Sequence, residues 1–170
     1  MRMNRSFLPA LLVLGTVPMF AQAVVGAPTA SATASASARI YQPISIAKTA
    51  DLNFGSMIAT PAAGQVSLTP AGVRTATGGA VLASAVGVSA AAFAVAGEPN
   101  TSFSVALPAS IQIASGVNSM TVDTFSTDAA AYLLDAAGAH PLSVGANLSL
   151  AANQPAGLYS GSFSVTVAYN

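Results

Sequence analysis

The closing stretch "AGLYSGSFSVTVAYN", residues 156–170, decides the fold. Tyr159, Gly161, Phe163, Val165, Val167 and Tyr169 fall on one parity, and Ser160, Ser162, Ser164, Thr166, Ala168 and Asn170 on the other. Successive side chains of a strand point to opposite faces, so this unbroken period of two predicts a β-strand with one buried face and a fixed register. Gly161 falls on the apolar face, where a missing side chain predicts either a bulge or room for a neighbour.

Working upstream, short strand signals recur between turn residues. Asn153-Gln154-Pro155-Ala156-Gly157 makes the final turn, and before it come Leu148/Leu150, Leu142/Val144, Met120/Val122 and Ile111/Ile113. "GEPN" at 97–100 separates Phe93 and Val95 from the alternating Phe103, Val105 and Leu107. "AVLASAVGVSAAAFAVAG", 80–97, is rich in alanine, but its valines, serines and Gly87 favour a pair of strands over a helix. Val66 and Leu68 mark another strand, and Pro43 in "RIYQPISIAK" predicts an edge strand or a bulge. Only "DAAAYLLDAAG", 128–138, has the composition for a helical turn. Many short strands with close turn signals predict an all-β fold, an immunoglobulin-like antiparallel β-sandwich over residues 39–170.

The other end of the chain reads differently. Arg2 and Arg5 precede an apolar run broken by Pro9 and Pro18, and Ala21-Gln22-Ala23 matches a small-residue cleavage signal. Residues 1–23 are therefore expected to be a signal peptide, since the run is shorter than the ~20 residues that cross a bilayer. Nothing later is apolar enough to span a membrane. Export implies the periplasm and then the cell surface or extracellular space of a Gram-negative-type bacterium. Residues 24–38 form an Ala/Ser/Thr-rich extension in which Ala30, Ala32, Ala34, Ala36 and Ala38 alternate with Ser and Thr. Its parity suits a strand with a face of methyl groups, while its low complexity suits a linker.

Composition limits the chemistry. There is no cysteine, so an exported domain of this size is held by packing or by a partner rather than by disulfides. Beyond residue 23, Arg39, Lys48 and Arg74 stand against Asp51, Glu98, Asp123, Asp128 and Asp135. With no basic patch, nucleic acid is not an expected partner. The single histidine, His140, precedes Pro141 and reads as a loop residue; it cannot build a His/Cys metal cluster or a Cys–His nucleophile pair. Ser45-Ile46-Ala47-Lys48 matches S-x-x-K, but in a strand-like stretch beside Pro43 rather than at the start of a helix. Asp123 and Asp128 lack the context of an acid/base pair. No catalytic residue, cofactor or metal site is expected, and the chain does not read as an enzyme.

The end of the chain resembles the C-terminal signature of bacterial chaperone–usher pilins. Gly157 is the fourteenth residue from Asn170, alternating apolar positions follow it, and Tyr169 is penultimate. "PAGLYSGSFSVTVAY" also looks like the last strand of the spore coat protein U family, on the archaic branch of that system. A broader likeness is to the bacterial domain of unknown function 4402, carried by "PISIAKTADLNFGSM" (43–57), "LTPAGVRTATGG" (68–79) and "NQPAGLYSGSFSVTVAYN" (153–170).

The pilin resemblance implies a sandwich that lacks its own last strand. One wall of the resulting groove would comprise Gly157, Tyr159, Gly161, Phe163, Val165, Val167, Tyr169 and Asn170. A periplasmic chaperone fills such a groove, and at the outer-membrane usher the extension of the next subunit replaces it. Strand addition at an exposed edge supplies main-chain hydrogen bonds and pockets for alternate side chains. A missing strand withholds about five hydrogen bonds at ~1 kcal/mol and several buried side chains at roughly 1.5–3 kcal/mol each. That is comparable to the roughly 5–15 kcal/mol stability of a whole domain. The expected function is a structural subunit of a surface fibre or coat that self-associates into a polymer. The alternative is a self-contained secreted adhesin or glycan-binding module. For 24–38 itself three roles stand: donor strand, linker, or insertion into its own groove.

Overall fold

The computed structural model describes Gly26 and residues 28–170, and the chain divides between Ala38 and Arg39 into two units. In the first unit, Gly26 and residues 28–38 are exposed and take part in no strand, so the alternation of Ala30, Ala32, Ala34, Ala36 and Ala38 does not make a strand by itself. The expected signal segment, with Ala21 and Ala23, lies outside the described residues.

The second unit contains nine strands and, among the described residues, no helix. In chain order they are β1 (Ser45–Ala50), β2 (Met57–Leu68), β3 (Arg74–Leu82), β4 (Ala91–Ala96), β5 (Phe103–Ala106), β6 (Ser110–Ser115), β7 (Asn118–Thr127), β8 (Ala139–Leu150) and β9 (Thr166–Tyr169). All pairings are antiparallel, and the sheets pack as a sandwich-like fold.

β8 organises the larger sheet because its apolar residues recur at every second position. Leu142, Val144, Ala146, Leu148 and Leu150 are all buried. Residues 139–144 pair with β4 and residues 146–150 with β2, while β7 runs along the opposite edge. The change of partner falls at Gly145, where a Cβ would collide with the backbone of Leu68 and Thr69 as β2 ends. Only a residue without a side chain lets the two partners meet there. β1 closes one end of the sheet beyond β4, and β3 closes the other beyond β2. β1 is thus an edge strand, and its register slips between Lys48 and Ala50, which accords with Pro43 just before it.

The smaller sheet is the β5–β9 pair. Its Phe103, Val105, Val167 and Tyr169 cover a core cluster formed by Ala91, Val95, Leu134, Leu142 and Val144. A second cluster holds Phe54, Val66, Leu68, Met120, Val122, Leu148 and Leu150. Among the described residues, no regular strand covers that second cluster from the β9 side. The incomplete cover is what creates the site described below.

Three local expectations are corrected. Residues 80–97 do supply strands, but β3 and β4 pair with β2, β1 and β8 rather than with each other. Residues 128–138 form no helical turn: Asp135 Oδ1 accepts from the amides of Ala137 and Ala139, Leu133 bridges Ser102, and Leu134 is driven fully into the core. His140 is not in a loop but in β8, paired with Val95, with its ring edge-on to Phe103 at 5.4 Å and Nδ1 3.0 Å from the Leu133 carbonyl.

Candidate functional site

The C-terminal stretch keeps its predicted parity of burial but not its predicted regularity. Tyr159, Phe163, Val165, Val167 and Tyr169 are half-buried and the residues between them exposed, yet only Thr166–Tyr169 is a regular strand. Upstream of it, Ser160 exchanges a pair of backbone hydrogen bonds with Ala114, at 3.0 and 2.9 Å. Seven residues between Ala106 and Ala114 therefore face only five between Ser160 and Thr166, and the excess lies at the break between β5 and β6. Pro108 sits in that break and has no amide hydrogen to give. Among the described residues, the backbone of 161–165 makes no hydrogen bond at all. A run of unpaired N–H and C=O groups is a template for another strand.

Beside this unpaired run lies an apolar cleft of about 890 Å³. Residues 154–163 form one wall and residues 48, 50–59 form the other. Ile111, Ile113, Met120, Val122, Leu148 and Leu150 of β6, β7 and β8 form its floor. Ile58 and Leu158, both among the lining residues, are 58% and 87% exposed, large apolar side chains left in solvent. Among the described residues, Lys48 and Asp51 are the only charged ones lining the cleft, and they neutralise one another at 2.6 Å.

The walls are held from outside the cleft. Asn53 exchanges backbone bonds with Ser89, and its Oδ1 accepts from the Gly55 amide at 2.8 Å. Arg74 donates to the carbonyls of Phe54, Ser56 and Ser84. On the opposite wall, Tyr159 donates to the Pro155 carbonyl at 2.7 Å and accepts from Gln154 Nε2, which also reaches Ser119. Phe163 packs on Phe125 at 4.9 Å and against Phe93 at 6.4 Å, closing one end.

The expected groove residues divide into two groups. Gly157, Tyr159, Gly161 and Phe163 line the cleft. Val165, Val167 and Tyr169 instead serve the β5–β9 cluster, and Asn170 donates from its amide to Ser102. Gly161 is exposed, not buried: a Cβ there would meet the Gln112 carbonyl at 2.8 Å and Ile113 Cγ2 at 2.9 Å. Its missing side chain makes room for β6 of its own domain, not for an incoming group. The opposite wall, 50–59, is not among the expected groove residues: its middle, between β1 and β2, forms no regular strand and follows neither period.

Residues with catalytic potential stay apart. Ser45 and Lys48 are three apart on β1 and so point to opposite faces. Ser45 bonds the Ala96 carbonyl and Lys48 bonds Asp51. Asp123 accepts from Thr124, and Asp128 from the Ser143 amide.

No curated protein and no solved structure matches this chain. A family model, the domain of unknown function DUF4402, matches residues 44–169, from just before β1 to the end of β9. The match takes in both walls and the floor of the cleft, and the chain belongs to the DUF4402 family.

Proposed function

We propose that this protein is an exported structural subunit of a surface fibre or coat, assembled by insertion of a strand from another chain into the cleft between residues 48–59 and 154–163. The observation that carries this reading is the unpaired backbone of 161–165 beside an apolar cleft with large apolar side chains exposed among its lining residues. A strand laid there would gain main-chain partners along 161–165 and cover the apolar floor of the cleft. In the mature subunit the donor is the 24–38 extension of the next copy; before assembly a periplasmic chaperone supplies the strand, and an outer-membrane usher exchanges it. Head-to-tail insertion is a heterologous contact that does not close, so it builds a polymer. A self-contained adhesin would instead melt as a stable monomer with or without its extension.

The test is deletion of residues 24–37 in the exporting bacterium. Loss of an SDS-resistant ladder of surface polymer is expected, and an unchanged ladder sinks the proposal.

A further inference from the structure

Where the extension joins the domain, six interactions converge on a site remote from the cleft. Tyr169 donates its phenol hydrogen to the Gln42 carbonyl and accepts from the Glu98 amide, both at 2.7 Å. The Glu98 carboxylate accepts from the Gln42 amide at 3.2 Å and pairs with Arg39 at 3.1 Å. The Arg39 guanidinium lies 4.7 Å from the centre of the Tyr41 ring, which in turn packs 6.0 Å from the ring of Tyr169. A Cβ on Gly97 would collide with the Tyr169 hydroxyl, so the turn is shaped around that phenol. Residues 39–43 belong to no strand, so nothing in a sheet ladder explains why this stretch is held.

We infer that Tyr169 and Glu98 form an anchor that fixes the root of the N-terminal extension, residues 39–42, at the Tyr169 end of β9. This deepens the assembly reading and rests on it for its purpose. Phe163, at the edge of the cleft, and Tyr169 are six residues of extended chain apart, roughly 20 Å. An extension rooted at Tyr169 starts that far from its own cleft, and its residues 24–38, extended, reach roughly 50 Å, enough to meet a neighbouring copy. Tyr169 and Glu98 are then positioning residues for assembly.

The test uses the cysteine-free mature chain with one introduced thiol, Ser37→Cys, carrying a spin label. The spectrum should show restricted motion, and Tyr169→Phe, Glu98→Gln and Arg39→Gln should each release it. Arg39 is 66% exposed, so its replacement leaves the core intact should the other two perturb folding. Thermal melting in parallel separates local release from unfolding. Equal label motion in the parent and all three variants overturns the anchor. In the same samples, variants with released labels should give shorter ladders, and ladders of equal length would overturn the positioning role. A parent chain with a restricted label but no ladder refutes polymer assembly while leaving the anchor standing.

Discussion

Arg74 donates from Nη1 to the carbonyl of Phe54 at 2.6 Å, across twenty positions of sequence, and so holds one wall of the cleft from behind. Its other donors reach Ser56 at 3.1 Å and Ser84 at 3.0 Å, so one planar guanidinium satisfies three carbonyls of irregular chain. A lysine presents a single point of charge and cannot span that geometry. Arg74→Ala should destabilise the domain by about 2 kcal/mol, and Arg74→Lys should recover less than half of it. Urea unfolding of the three proteins checks both expectations; full recovery by lysine would mean that charge alone suffices.

Leu134 is fully buried, in the stretch whose alanines imitate a helix. Its place is set by Leu134 donating to the Thr101 carbonyl and by Asp135 turning the chain, and neither leaves a periodic trace in sequence. Leu134→Ala should lower stability by roughly 2–5 kcal/mol, as for other fully buried leucines. A loss below 1 kcal/mol on denaturant unfolding would contradict the packing described.

The contrast between β8 and the 50–59 wall shows what could be read beforehand. In β8 every second residue from Leu142 to Leu150 is apolar, and burial follows that parity because β8 is paired along both of its edges, with β4 and β2 on one and β7 on the other. The same parity was legible through Tyr169, but it could not reveal that pairing fails over 161–165. That failure coincides with a break on a different segment, between β5 and β6, where Pro108 has no amide hydrogen to give. The 50–59 wall is held by Arg74 and Ser89, both distant in sequence. Long-range contacts of single side chains carry no local pattern.

Gly161 lies against β6 next to the Ser160–Ala114 bridge. Because a Cβ would press on the backbone carbonyl of Gln112, which has little freedom to move, Gly161→Ala should cost about 1–3 kcal/mol. It should also shift the 154–163 wall relative to β6 and weaken assembly. Unfolding of the isolated subunit reads the first effect, and the yield of SDS-resistant ladder reads the second.

The anchor makes stability depend on pH in a defined direction. The Gln42 amide, and then the Arg39 guanidinium, hold the Glu98 carboxyl below its ordinary value of 4.5. A depressed folded-state value contributes stability above the unfolded value, lost as pH falls through the folded one. Melting temperatures of the parent and Glu98→Gln should therefore differ above about pH 4.5 and converge at lower pH. A gap that stays constant from pH 2 to 6 would exclude the charged carboxylate as its source.

The cleft is large for the strand proposed to fill it. Its 890 Å³ is floored by Ile, Met, Val and Leu, whereas Ala32, Ala34 and Ala36 bring only methyl groups. Two further carbons at each position would bury about 0.8 kcal/mol apiece. Replacing the three alanines by valine should therefore stabilise the contact between subunits and raise the temperature at which the SDS-resistant ladder dissociates. The same change at Ser31, Ser35 and Ser37, on the other parity, should raise it far less. A linker would respond to neither set, and a strand in the opposite register would reverse their order.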